Sequence, residues 1–183
     1  RYPAQAPALL AGWRAPEAKS PGAAALDVLQ VFLATGEASR LRRRLVQELE
    51  LAVSVHVSWA WRIDPGVFMT WLEVAPGARP DRVERALWAE LARVAARGPS
   101  PAEVERARRL LRSGLLHEVA THNGTAHALG QAEALFGDWR EAGRVLERYA
   151  RVRPADVRRV AAEYLDPSRR CVVWLEPPGR GRR

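Results

Sequence analysis

Four histidines and one cysteine are the side chains of this chain best suited to hold a metal or attack a substrate. His117-Glu118-Val119-Ala120-Thr121-His122 sets two imidazoles five residues apart with a glutamate beside the first. That comes close to the H-E-x-x-H metal pattern but is one residue too long. On a continuous helix, positions i and i+5 point about 140° apart, so both rings cannot meet one ion unless the helix breaks. Asn123-Gly124 is a break signal, yet it lies after both residues. His127 repeats the same spacing from His122. The expectation is surface or helix-packing histidines and no metal site. His56 falls on the polar side of a strand-like alternation and reads as solvent-facing or cross-strand. Cys171 sits in the apolar run Arg170-Cys171-Val172-Val173-Trp174-Leu175, which predicts a buried, inert thiol. A lone cysteine excludes an intrachain disulfide and any multi-thiolate metal site. No serine nucleophile elbow or glycine-rich phosphate loop is present, and Ser113-Gly114 lies inside a helical pattern.

The elements around these residues follow from periodicity and caps. Residues 8–14 read as a strand ended by Pro16. Ser20 as N-cap and Pro21 at the first helical position open a helix whose apolar face is Leu26, Leu29, Phe32 and Leu33, with Gly36 placed to stop it. Leu41, Leu45 and Leu49 predict a second, basic amphipathic helix over 39–49. From Ala52 to Ile63 the alternation is strict: Val53, Val55, Val57, Trp59, Trp61 and Ile63 on one side, polar or small residues on the other. Asp64-Pro65-Gly66 turns the chain into a partner strand over 67–74, so a hairpin with one apolar side is expected. Trp59, Trp61 and Trp71 are expected to pack in the core, or where exposed to mark a docking surface.

Helices then supply cover. Val83, Leu87, Leu91 and Val94 define one over 81–97, ended by Gly98. Ser100-Pro101-Ala102-Glu103 is a capping box that starts another running to about 120. Helical patterns follow over 125–136, 139–149 and 154–165, then a buried strand over 170–176. This order predicts an α+β fold: an antiparallel sheet with helices packed mainly on one face. Residues 1–177 read as a single domain, and 178–183 as a basic disordered tail.

The chain is 183 residues, 48% hydrophobic and 27% charged, ordinary for a folded domain. No run of about 18 uncharged apolar residues occurs, so no membrane insertion is expected. The chain opens on Arg1 without a signal-peptide pattern, which suggests a fragment or processed product. Net charge is +8, which admits a nucleic-acid partner. Lys19, however, is the sole lysine, and the arginines are spread over the helices as solvated faces and carboxylate partners. Nucleic-acid binding is the less favoured reading.

Ser39-Arg40-Leu41, Leu45, Glu48, Leu51-Ala52 and Ser54-Val55 together resemble a signature in the second half of pitrilysin/insulinase-type zinc peptidases, which include the mitochondrial processing peptidases. Asp64-Pro65-Gly66-Val67-Phe68, the Gly98-to-Val104 helix start, Pro154-Ala155-Asp156-Val157 and the closing Val172-to-Pro177 run extend the resemblance over nearly the whole chain. The family's catalytic half carries H-x-x-E-H, two zinc ligands and a water-activating glutamate; that motif is missing here. The resemblance therefore implies a non-catalytic C-terminal half-domain, with zinc in a partner half. It would close over an extended polypeptide, as a half-unit or in a homo- or hetero-dimer. In active relatives an Arg and a Tyr of this half reach toward bound substrate; the matching positions here are Val46 and Val53, which can donate nothing from their side chains. A pseudo-peptidase subunit serving only as a structural partner is the alternative. Bacterial relatives occur in periplasm or cytoplasm, and the single cysteine suits either.

Overall fold

The computed structural model describes residues 6–176. Four strands, β1 (Ala8–Ala15), β2 (Ala52–Ser58), β3 (Gly66–Val74) and β4 (Cys171–Leu175), form one antiparallel sheet in the order β2-β3-β1-β4. The helices are α1 (Ala23–Ala34), a π-helix (Arg42–Glu48), α2 (Pro80–Arg97), α3 (Pro101–Glu118), α4 (His122–Phe136), α5 (Glu141–Arg151) and α6 (Pro154–Tyr164). The expected α+β architecture is the one found. The expected basic tail at 178–183 lies outside the described residues.

Strand alternation decides where the core sits. One face of the sheet carries rows that run straight across it by register: Val55, Leu72, Leu9 and Trp174, then Val57, Thr70, Ala11 and Val172. This face packs on the helical layer, and Leu9, Ala11, Phe68 and Leu72 are fully buried. α1 is buried nearly all round, as expected of a central helix with mean apolar character on every side. It packs against α3, α6, α5 and β2. α2 closes the β1–β4 side: Trp13 meets Trp88 edge-on with ring centres 6.1 Å apart, and the Trp174 indole donates to Glu84 at 2.6 Å.

Several local readings need correction. α1 starts at Ala23, with Gly22 as its cap, because the Ser20 hydroxyl accepts from the Gly22 N–H instead of capping a helix at Pro21. The helix expected over 39–49 is a π-helix over Arg42–Glu48: the Leu49 N–H reaches back five residues to the Arg44 carbonyl. The strict alternation over 52–63 fails at both ends. A β-bulge between Ala52 and Ser54 inserts Val53 as an extra residue, so Val53 is exposed while Ala52 and Val55 are both buried. At the other end β2 stops at Ser58, because the Trp59 N–H is taken by the Gln30 side chain, and Ile63 is left exposed. The capping box is as read: the Ser100 hydroxyl accepts from the Glu103 N–H and the Glu103 carboxylate from the Ser100 N–H. Gly98, at φ 69°, is held against the Arg158 Cβ, where a side chain would sit within 2.9 Å.

Candidate functional site

The signature segment divides into a buried anchor and bare tips. Ser39, Leu41 and Leu45 are fully buried. Arg40 joins three helices: its guanidinium lies 2.9 Å from Glu103 at the start of α3, 3.7 Å from Glu90 of α2, and 5.4 Å from the centre of the Phe32 ring in α1. Glu90 is only 2% exposed and is also paired with Arg93. A buried carboxylate is tolerable only when paired, so the second cation explains its presence at a core position of the α2 stripe. These residues hold the fold. Val46, in the π-helix, is half-buried against the core beside Leu49, and Val53 stands out on the bulge.

A second polar cluster was not foreseen. Asp27 of α1 accepts from the Trp59 indole at 2.7 Å, the Trp61 indole at 2.9 Å and the Tyr149 hydroxyl of α5 at 2.9 Å. Burial pushes its carboxyl up from 3.8 to about 6, although the three donors pull the other way. Burial also raises the Tyr149 hydroxyl, and the Asp27 carboxylate beside it adds to the effect. The available signal was a lone aspartate inside the apolar run Ala25-Leu26-Asp27-Val28-Leu29. Trp59 and Trp61 thus serve as core and hydrogen-bond donors, whereas Trp71 points to the opposite side of the sheet.

That opposite side is apolar and uncovered among the described residues. Its rows are His56, Trp71, Leu10 and Val173, then Ser58, Met69, Gly12 and Cys171. Val67, Met69, Trp71, Val173 and Leu175 are 39–52% exposed. Cys171 is exposed here, not buried as its apolar run implied, because its side chain points to this uncovered face, as those of Met69 and Trp71 do on the inner strand β3. His56 is exposed on this face, in keeping with its reading as solvent-facing or cross-strand.

The histidine pair needs a different account from the one the sequence offered. α3 ends at Glu118 and α4 begins at His122, so the helix breaks between the two histidines, not after them. The Thr121 hydroxyl caps α4 by accepting from the Gly124 N–H at 3.0 Å, and a Cβ at Gly124 would collide with the Glu118 carbonyl. Even so, no group of three or more His, Cys, Asp or Glu is placed to hold a metal ion among the described residues. The donor set among the described residues does not fit a zinc centre. Many of the clustered arginines are held by carboxylates: Arg42 by Glu37, Arg43 and Arg44 by Glu48, Arg108 and Arg109 by Glu105, Arg159 by Glu163. Among the described residues no helix is long and apolar enough to cross a membrane.

Residues 2–111 match the sequence profile of the family described as the peptidase M16 inactive domain. The chain belongs to this family. The M16 inactive domain is also 31% identical over 144 residues to an uncharacterised zinc protease of Streptomyces coelicolor, covering 77% of this chain and 30% of that one. Its fold superposes with a TM-score of 0.83 on a protein from Bordetella pertussis named as a zinc protease, at 31% identity, covering 93% of this chain and 94% of the other. The inactive peptidase domain of a Bordetella parapertussis protein of the same naming gives 0.85 at 28% identity, covering 100% and 97%. A protease from Helicobacter pylori shares the fold, with a TM-score of 0.86 at 20% identity, and this M16 domain covers 95% of itself but only 42% of that chain. The chain is thus an inactive M16 peptidase domain, pitrilysin-like, of the kind found in bacterial zinc proteases. It spans less than a third of the length of the Streptomyces relative.

Proposed function

We propose that this domain is the non-catalytic half of a zinc peptidase, closing over an extended polypeptide held by a zinc-bearing half outside this chain. The observation that carries the reading is the uncovered sheet face. A row of Trp71, Met69, Val67, Val173 and Leu175 left to water is the composition of a docking surface. The relatives that are two to three times longer supply the candidate occupant, a second half-unit of the same protein. Zinc belongs to that half, since the donors here do not fit it.

The test is reconstitution with the zinc-bearing half. Peptide hydrolysis is expected from the pair and not from this chain alone. Trp71→Glu should abolish association, and association unchanged by that substitution overturns the docking surface. At the positions matching the family's Arg/Tyr pair, Val46 and Val53 remove a source of hydrogen bonds to a developing oxyanion. The double variant Val46→Arg with Val53→Tyr should therefore raise the rate of an active pair. No change would show that those two positions are wrongly matched. The same two valines favour a second reading, a pseudo-peptidase subunit that stabilises an active partner. A reconstituted pair that associates but stays inactive, even with both residues restored, supports it.

A further inference from the structure

Between α1, α4 and α5, with α3 closing one end, lies a cavity of about 240 Å³ that has no part in the readings above. Its walls are mostly apolar and aromatic, including Trp61, Leu135, Phe136 and Tyr149, and its polar groups are carboxylates and an amide: Asp27, Glu118 and Gln131. Asp27 is the decisive member. It has three hydrogen-bond donors, all neutral, and among the described residues no cation forms an ion pair with it. Compare Glu90, equally deep in the molecule, which the fold supplies with two arginines. An ionised carboxylate facing a small cavity without a counter-charge is left partly uncompensated, and a bound cation would supply what is missing.

The walls favour the same ligand. Aromatic faces attract cations, and this chain already uses two of these rings that way: the Arg148 guanidinium lies 4.6 Å from the centre of Phe136 and 5.9 Å from that of Trp61. Arg148 is itself paired with Glu141, so it does not neutralise Asp27. The cavity is smaller than the roughly 300–1,000 Å³ of drug-sized sites, which limits the guest to about ten non-hydrogen atoms.

We propose that this cavity binds a primary ammonium or guanidinium group carried on a short apolar body, with the Asp27 carboxylate as its counter-ion and Trp61, Phe136 and Tyr149 around its hydrocarbon. The cation could be a free small amine or the side chain of a Lys or Arg in a polypeptide. The site lies in the helical layer, away from the uncovered sheet face, and its existence does not depend on the pairing of two halves.

Benzylamine and its neutral counterpart benzyl alcohol are the probes, titrated into the whole chain at a pH well above 6, where Asp27 is ionised. The indole N–H resonances of Trp59 and Trp61 report binding. Benzylamine should shift them saturably and bind at least about tenfold more tightly than the alcohol, the scale of one charge-assisted hydrogen bond. Asp27→Asn should erase that preference. Because that change also disturbs three hydrogen bonds, Ala128→Phe provides an independent test: it narrows the cavity and leaves the Asp27 donors in place. Equal affinity for the two probes, no saturable shift, or undiminished binding in Ala128→Phe overturns the site. A capped tetrapeptide with one lysine separates the sources. Binding that matches benzylamine points to a polypeptide side chain, and binding of benzylamine alone points to a free amine; both uphold the site.

Discussion

Two buried carboxylates link elements of this domain, and they are built in opposite ways. Glu90 joins α2 to the signature segment through Arg40 and adds Arg93, so its charge is matched within the fold. Asp27 joins α1 to the end of β2 and to α5 through three neutral donors, and its charge is unmatched. The first arrangement locks helices against each other. The second leaves a group whose ionisation the fold resists, next to a cavity that water or a guest can enter. The lesson is that similar burial gives a brace in one place and a responsive group in the other, depending on whether a cation is supplied.

The largest effect should come from breaking the brace. Arg40→Ala removes the contacts to Glu90, Glu103 and Phe32 together, and unfolding in urea should show a loss of about 2–4 kcal/mol, moderated by the Arg93 pair that remains. A loss below roughly 1 kcal/mol would mean that the segment is anchored by its leucines alone.

Asp27 should reveal itself through pH. Its folded value of about 6 lies above its ordinary 3.8, so the proton it holds in the folded state contributes stability that is complete below about pH 4 and lost as pH rises through 6. That contribution amounts to no more than roughly 2–3 kcal/mol. The melting temperature of the wild type should decline as pH rises across that window, and that of Asp27→Asn should lack the decline. Parallel slopes would refute an unmatched charge.

Tyr149→Phe refines the same point. It removes one of the three donors that favour the ionised form, costing about 1 kcal/mol near neutral pH and moving the midpoint of the pH response upward. The smallest effect is expected outside both clusters, at Glu50. This exposed residue sits at φ 52°, and Glu50→Gly should raise stability by about 0.5–1 kcal/mol by relieving a left-handed conformation.

Much of the fold was legible in local pattern. The Leu87–Leu91–Val94 stripe, the Ser100–Glu103 capping box and the Val157–Val160 face each fix an element by short-range chemistry, and each is where it was read. The errors share a cause. Val53 turns outward because of a bulge, Trp59 leaves the strand because the Gln30 side chain of α1 claims its N–H, and Cys171 is exposed because its face of the sheet is uncovered among the described residues. In each case a partner distant in sequence decides the outcome. Asp27 is the same kind of miss: its position in an apolar run was visible, but Trp59 and Tyr149 meet it only after folding.

The sequence by itself determined the succession of helices and strands, the family signature and the lack of an H-x-x-E-H motif, because periodicity, caps and motifs act over a few residues. Which carboxylate received a cation, which face of the sheet stayed bare and where the histidine-bearing helix broke were decided only by tertiary structure. Those outcomes depend on groups brought together across the chain, and burial and electrostatics act on them only once they touch.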